Sequence, residues 1–243
     1  MKKESRYPIE NSLTIFLLFA AVGGFLEAYT FLLHGGVFCN AQTGNVVLLV
    51  LRLCEKDGSG ALHYAFALIA YVIGIAVSAL LPRFFKRLNL PFWVALFEAA
   101  ALAALAFQPT VLPDRVTYIS VSFLCALQYN TFTSCRGTAL ATTFCTNNLR
   151  QTVLNLCNGI AEKDSFQLKK SGIYALVILA FAVGAAFGAI AADSLGNYCA
   201  LIGAGILLVA AVLLFLCRSK PKENTTEQSD KKVNAIDEAD PKV

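Results

Sequence analysis

Six apolar segments, at residues 12–33, 61–81, 92–107, 116–134, 172–192 and 198–217, dominate this chain, and each is 16 to 22 residues long. A helix of ~20 residues crosses the ~30 Å of hydrocarbon in a bilayer. Hydrophobic residues make up 57% of the 243 and charged ones 15%, with the charges gathered between the apolar runs and at the two ends. The pattern predicts an all-α membrane protein with six full transmembrane helices. The first segment is too long for a cleaved signal, lacks a small-residue cleavage site after it and is soon followed by further spans, so it is expected to stay in place.

A faint duplication runs through these segments. Glu27, Thr43-Gly44-Asn45-Val46, Leu53 and Cys54 fall, at an offset of 103 residues, on Asn130, Thr146-Asn147-Asn148-Leu149, Leu156 and Cys157. Tyr71, Gly74 and Ser78 match Phe181, Gly184 and Gly188 at an offset of 110. The expected organisation is a cytoplasmic start over 1–11, a first membrane repeat over 12–108, a second over 115–217, and a cytoplasmic tail over 218–243. That tail holds six basic and six acidic residues and almost no large apolar ones, so it is expected to be disordered. The spacings Gly74-x-x-x-Ser78 and Gly184-x-x-x-Gly188 let two helices approach closely, either between the halves or in a homo-oligomer.

Two further segments, 37–55 and 138–158, begin with residues a lipid-facing helix avoids: Asn40, Gln42, Thr43 and Asn45 in one, Thr142, Thr143, Thr146, Asn147 and Asn148 in the other. Gly35-Gly36 precedes the first and Gly137 lies just before the second, and glycine marks breaks and close backbone approaches. Irregular backbone at membrane depth is stable only when buried in protein or lining a wet cavity. Both segments are therefore expected to be broken or re-entrant helices. If both cross, the repeats are parallel and the Lys and Arg of residues 1–222 divide 13 inside to 4 outside; if neither crosses, the repeats are inverted and the division is 14 to 3. The positive-inside rule does not separate these counts, and both place the two termini in the cytoplasm.

The polar side chains within apolar sequence are the candidate site. Glu27 lies midway along the first span, where an ionised carboxylate is costly and marks a proton-binding, solute-binding or helix-bridging role. Gly23 and Gly24 share its helical face and would give a partner or solute access to it. Glu98, the other acid inside a span, has no acidic echo and is expected to serve packing or an interface. Asn148, Gln151, Asn155 and Asn158 form one amide stripe, which either lines a cavity or lies along the headgroups. Two distant histidines and eight cysteines without a Cys-x-x-Cys pair argue against a metal site or cofactor. No hydrolase, metalloprotease or phosphate-loop motif is present, and the net charge of +4 without basic–aromatic interleaving argues against nucleic acid. An enzyme is not expected.

The runs Gly23-Gly24-Phe25-Leu26-Glu27-Ala28, Val37 through Val47 with its Phe38-Cys39-Asn40-Ala41-Gln42-Thr43-Gly44-Asn45, Ala126-Leu127-Gln128-Tyr129-Asn130 and Thr142-Thr143-Phe144-Cys145-Thr146-Asn147-Asn148-Leu149 resemble the YoaK-like family of bacterial multi-pass membrane proteins. That family is a domain of unknown function, so the resemblance implies a location in the bacterial inner membrane and an architecture, not an activity. Two positions depart from its pattern: Glu27 stands where Asp is usual, and Thr146-Asn147-Asn148 where Thr-Gly-Asn usually repeats.

The resulting expectation is a small-solute transporter or permease, with protons as a coupling ion titrating on Glu27. Gln42, Thr43, Asn45, Gln128, Asn130, Thr146 and Asn148 would line a substrate site at the repeat interface. The alternative is a non-transporting membrane scaffold or partner-binding protein whose amides serve only helix packing.

Overall fold

The structure is a computed structural model that describes residues 8–108, 113–142 and 145–217; the tail expected over 218–243, most of the N-terminal start, and Thr143 lie outside the described residues. Eight α-helices follow one another there: α1 (Leu13–Leu33), α2 (Gln42–Cys54), α3 (Gly58–Phe84), α4 (Leu90–Ala106), α5 (Arg115–Thr131), α6 (Cys145–Ala161), α7 (Ser165–Leu195) and α8 (Ala200–Leu216). A small antiparallel hairpin, β1 (Ser134–Cys135) with β2 (Thr138–Ala139), lies between α5 and α6.

Local chemistry sets the helix limits. Ser12 caps α1 through its side chain on the N–H of Ile15, Asp57 caps α3 on Gly60, and Asp164 caps α7 on Phe166. Pro91 sits in the first turn of α4, where its missing N–H costs nothing. Gly196, at φ +55°, stops α7 and turns the chain into α8. Three continuous helical stretches are long and apolar enough to span a membrane: Leu13–Leu33, Gly58–Phe84 and Ser165–Leu216 taken through the Gly196 corner. Against the six full transmembrane helices expected from the sequence, the structure carries three stretches of that length and apolarity. Helices α4, α5 and α8 have 17 residues each, about 25 Å of helix, whereas α7 extends to 31 because Asp164 starts it well before its apolar stretch.

Cross-links between helix ends give each helix its direction. At one end of the bundle, here the near end, the Arg136 N–H in the β-hairpin donates to the Asn11 carbonyl at 2.9 Å, and Asn89 before α4 reaches the Leu214 carbonyl of α8 at 3.5 Å. At the far end, the His63 ring lies 3.0 Å from the Gly35 carbonyl, joining the start of α3 to the end of α1. His34 sits 3.6 Å from Asp114, just before α5. Tyr29 donates to Asn197, which donates at 2.8 Å to the Leu105 carbonyl at the end of α4. Helices α1, α4 and α7 therefore run from near to far, and α3, α5 and α8 run back.

The halves interlock. Helix α1 packs chiefly on α7, α3 on α5, and α4 on α8, while α2 lies on α3 and α6 on α7. The small-residue spacings serve these crossings within the chain. A Cβ at Gly24 would run into the Phe181 carbonyl, one at Gly184 into the Ala21 carbonyl, and one at Gly188 would lie 2.6 Å from the Phe25 carbonyl oxygen. In the α3–α5 pair a Cβ at Gly74 would come within 2.6 Å of the Phe123 oxygen. The core is apolar around Phe16, Phe19, Phe25, Tyr29, Leu124 and Leu207. The outer surface is apolar too: Val72, Phe187, Ile190 and Phe215 are each more than 60% exposed. Such an exterior suits hydrocarbon rather than water.

Candidate functional site

After α1 the chain does not continue outward. Gly35 and Gly36, at φ +77° and +71°, reverse it, and residues 37–41 run back along α1 into the bundle. Asn40 reaches the Gly23 carbonyl at 3.1 Å, ten residues back from the end of α1 and hence about 15 Å inward. Helix α2 starts there and returns to the far end, where α3 begins. Segment 37–55 is a hairpin that enters and leaves the bundle at its far end.

Glu27 holds its tip. The carboxylate accepts from the Asn40 N–H at 2.8 Å, the Ala41 N–H at 3.0 Å and the Cys39 thiol at 3.2 Å. Ala41 occupies the N-cap of α2 and has no side chain able to cap it. Glu27, from another helix, thus supplies acceptors for the N–H groups of the N-cap Ala41 and of Asn40 just before it, at the start of α2. Gly24, expected to open access to Glu27, is filled by the α7 backbone instead.

Asn45, the sole buried residue of α2, clasps the hairpin from within. Its Oδ1 accepts from the Phe38 N–H at 3.0 Å, and its Nδ2 donates to the Phe38 carbonyl at 2.6 Å and to Gln42 Oε1 at 2.9 Å. Gln42 donates onward to the Cys39 carbonyl at 2.9 Å. One amide therefore satisfies both backbone groups of an extended residue that has no strand partner.

The second half builds a counterpart from the near end. Arg136 and Gly137, at φ +50° and +75°, form the two-residue turn of the β-hairpin, a type I′ geometry. The strands place residues 140–142 beside α5, and α6 then leads back to the near end, where α7 starts. Segment 138–158, expected to be a broken or re-entrant helix, opens with the strand β2 and becomes helix only from Cys145. Asn148 donates to the Ala141 carbonyl at 2.7 Å, the same seven-residue reach as Asn45 to Phe38. Gln128 donates to the Phe19 carbonyl at 3.2 Å and to Thr142 Oγ1 at 3.4 Å.

The eight predicted site residues are only partly gathered. Glu27, Gln42 and Asn45 form one cluster, and Gln128 and Asn148 brace residues 141–142 of the other hairpin. Asn130 lies farther toward the near end, donating to Ser78 at 2.9 Å, and lines a recess of about 210 Å³ with Ser78, Pro82, Pro91 and Thr131. Thr43 and Thr146 are exposed on their helices. In the amide stripe, Asn148 is buried, Asn155 bonds within α6 to Gln151, and Asn158 is exposed. Most amide N–H groups are thus spent on backbone carbonyls. What remains at the centre is acceptors: Asn40 Oδ1, Gln128 Oε1 and Asn148 Oδ1 are buried without a partner among the described residues.

Glu98 is more central than its sequence suggested. It is 2% exposed, in the core of α4 rather than at an interface, and its Oε1 has no partner among the described residues. Cys125 of α5 lies against Cys39. Ser122, one turn before Cys125 on α5, and Tyr71 on α3 also carry buried hydroxyls without partners among the described residues. The signal available in sequence was the spacing of Ser122, Cys125 and Gln128, three apart on one face of α5.

The two asparagine clasps make a paired expectation. Asn45→Ala takes the acceptor from the Phe38 N–H and leaves the Phe38 carbonyl only the 3.4 Å contact from Gln42, so it is expected to cost about 2–3 kcal/mol, whereas Asn148→Ala frees only the Ala141 carbonyl and is expected to cost about 1–2 kcal/mol. Thermal unfolding of the purified variants in one detergent measures the difference; equal losses would deny the clasps their unequal roles.

No curated protein and no solved structure matches the chain. A family model does, over residues 15–213, which takes in all eight helices but the ends of α1 and α8. With most of its length matched, the chain belongs to the family described as protein of unknown function (DUF1275).

Proposed function

We propose that this chain is a small-solute permease of the cell membrane, built from two inverted repeats of three spanning helices and one re-entrant hairpin each. One observation carries the reading: hairpins 37–55 and 138–158 enter the bundle from opposite ends and are pinned beside α1 and α5. Pairing supports the repeat, because exchanging α1–α4 for α5–α8 turns the α1–α7 contact into α5–α3, α2–α3 into α6–α7, and leaves α4–α8 unchanged. Helices of 17 residues fall at the short end of the spanning range. Of the 11 Lys and Arg among the described residues, eight lie toward near ends and only Arg52, Lys56 and Arg115 toward far ends, which supports a cytoplasmic near end and cytoplasmic termini. The bacterial inner membrane and the narrower YoaK-like likeness belong to this proposal.

The substrate class follows from the unpaired acceptors. Asn40, Gln128 and Asn148 offer carbonyl oxygens at the centre, so the solute would be small and carry N–H or O–H donors. Glu27 would couple protons to movement: ionised, it holds the tip of the first hairpin; protonated, it loses acceptor capacity and releases it. The scaffold reading retains one observation in its favour, the engagement of most amide N–H groups by backbone.

Two experiments test this reading. Single cysteines introduced as Lys56→Cys and Lys163→Cys into a cysteine-free chain are expected to react from opposite sides with an impermeant maleimide, Lys56→Cys from outside intact cells; labelling from one side only would remove the inverted topology. Proteoliposomes are expected to pass ammonium, small amines or small polyols faster than empty vesicles, and no flux for any of them would leave the scaffold.

A further inference from the structure

Helices α3 and α4 are consecutive, yet they do not pack along their lengths; both rest on α5, leaving a cleft between them. Two recesses lie in it. One of about 380 Å³ is lined by Phe66, Ile73, Phe97, Ala101 and Phe123, and one of about 400 Å³ by Val77, Leu81, Trp93, Phe97, Phe123 and Leu127. Phe97 and Phe123 line both, so the two recesses adjoin along the cleft. Its α3 wall runs from Phe66 to Leu81, about 22 Å, longer than the ~15 Å of hydrocarbon in one leaflet.

The near mouth of the cleft is basic. Arg83, Lys86 and Arg87 lie exposed on the turn from α3 to α4, none forms an ion pair among the described residues, and no acidic residue occurs between Leu81 and Phe97. Trp93, 49% exposed beside them, marks headgroup depth. The corresponding corner between α7 and α8, Gly196–Cys199, carries no Lys or Arg.

We propose that this cleft binds one anionic phospholipid, with an acyl chain along Phe97 and Phe123 and the phosphate held by Arg83, Lys86 and Arg87. The lipid fills what α3 and α4 leave open, so its binding stabilises their shared seat on α5. The site is independent of whether the protein transports anything.

The test titrates the full-length purified protein in a neutral detergent with phosphatidylglycerol or with phosphatidylcholine of the same acyl chains, following the unfolding temperature and the lipid retained in native mass spectra. Phosphatidylglycerol is expected to raise the midpoint at a concentration at least tenfold below that needed of phosphatidylcholine, with one molecule retained per chain. The exposed triple change Arg83→Ala, Lys86→Ala, Arg87→Ala is expected to abolish that preference without altering the lipid-free midpoint, and Ala101→Trp to weaken retention of both lipids. Equal response to the two lipids, an undiminished preference in the triple variant, or a cleft closed by a second copy of the chain in cross-linking would overturn the proposal.

Discussion

Glu27→Ala is expected to be among the most damaging single changes in this protein, costing about 3–5 kcal/mol of stability. It strips the acceptors from the N–H groups of Asn40 and Ala41 and from the Cys39 thiol at once, in a place where no side chain of α2 can replace them. Each buried donor left without a partner costs about 1–3 kcal/mol. Glu27→Gln keeps one acceptor oxygen and presents an NH2 to the other donor, so a loss of about 1–3 kcal/mol is expected. A packing role does not tolerate Gln as a near-isostere, because both oxygens are in use. Flux must therefore be measured on variant protein shown to be folded, and normalised to it. If Glu27→Ala unfolds within about 1 kcal/mol of the parent, the hairpin is not held by this carboxylate.

The second large effect lies at the crossing of α1 and α7. At Gly184 and Gly24 the opposing atoms are backbone carbonyls of Ala21 and Phe181, which cannot swing aside as a flexible side chain would. Gly184→Ala is expected to force the helices apart and cost about 3 kcal/mol or more, and Gly184→Leu to prevent assembly. Gly172, on the same helix, meets nothing within 4 Å, so Gly172→Ala is expected to be neutral or stabilising by up to about 1 kcal/mol through helix propensity. The comparison on one helix separates close packing from the general effect of removing glycine. Parallel behaviour of the two alanine variants in detergent-resistant yield and unfolding temperature would sink the argument.

Much of this arrangement was legible in the residues, because in a membrane few choices satisfy the backbone. The apolar runs announced the helices, and Gly35-Gly36 and Gly137 announced the two chain reversals, since only glycine takes positive φ freely. The β-hairpin was not legible: half its turn is Arg136, a residue that gives no turn signal and reaches positive φ only because the strands on either side require it. The direction of α2 was also hidden, since charge counts alone did not distinguish crossing from returning; His63 against Gly35 decides it. Glu27 was recognised as exceptional, but its role as a cap from outside α2 depends on a contact 13 and 14 residues away that no local pattern encodes. Glu98 was undervalued for want of an acidic echo, although burial depends on which helices surround a residue.

The interlocking of the halves bears on how the chain is made. At synthesis rates of about 5–20 residues per second, α1 leaves the ribosome on the order of ten seconds before α7 exists to receive it. During that interval the bare Gly24 groove faces lipid or an insertion chaperone, and the first half is an unfinished product. Separately expressed fragments 1–108 and 113–243 should each be cleared by membrane quality control and rescue one another when made together.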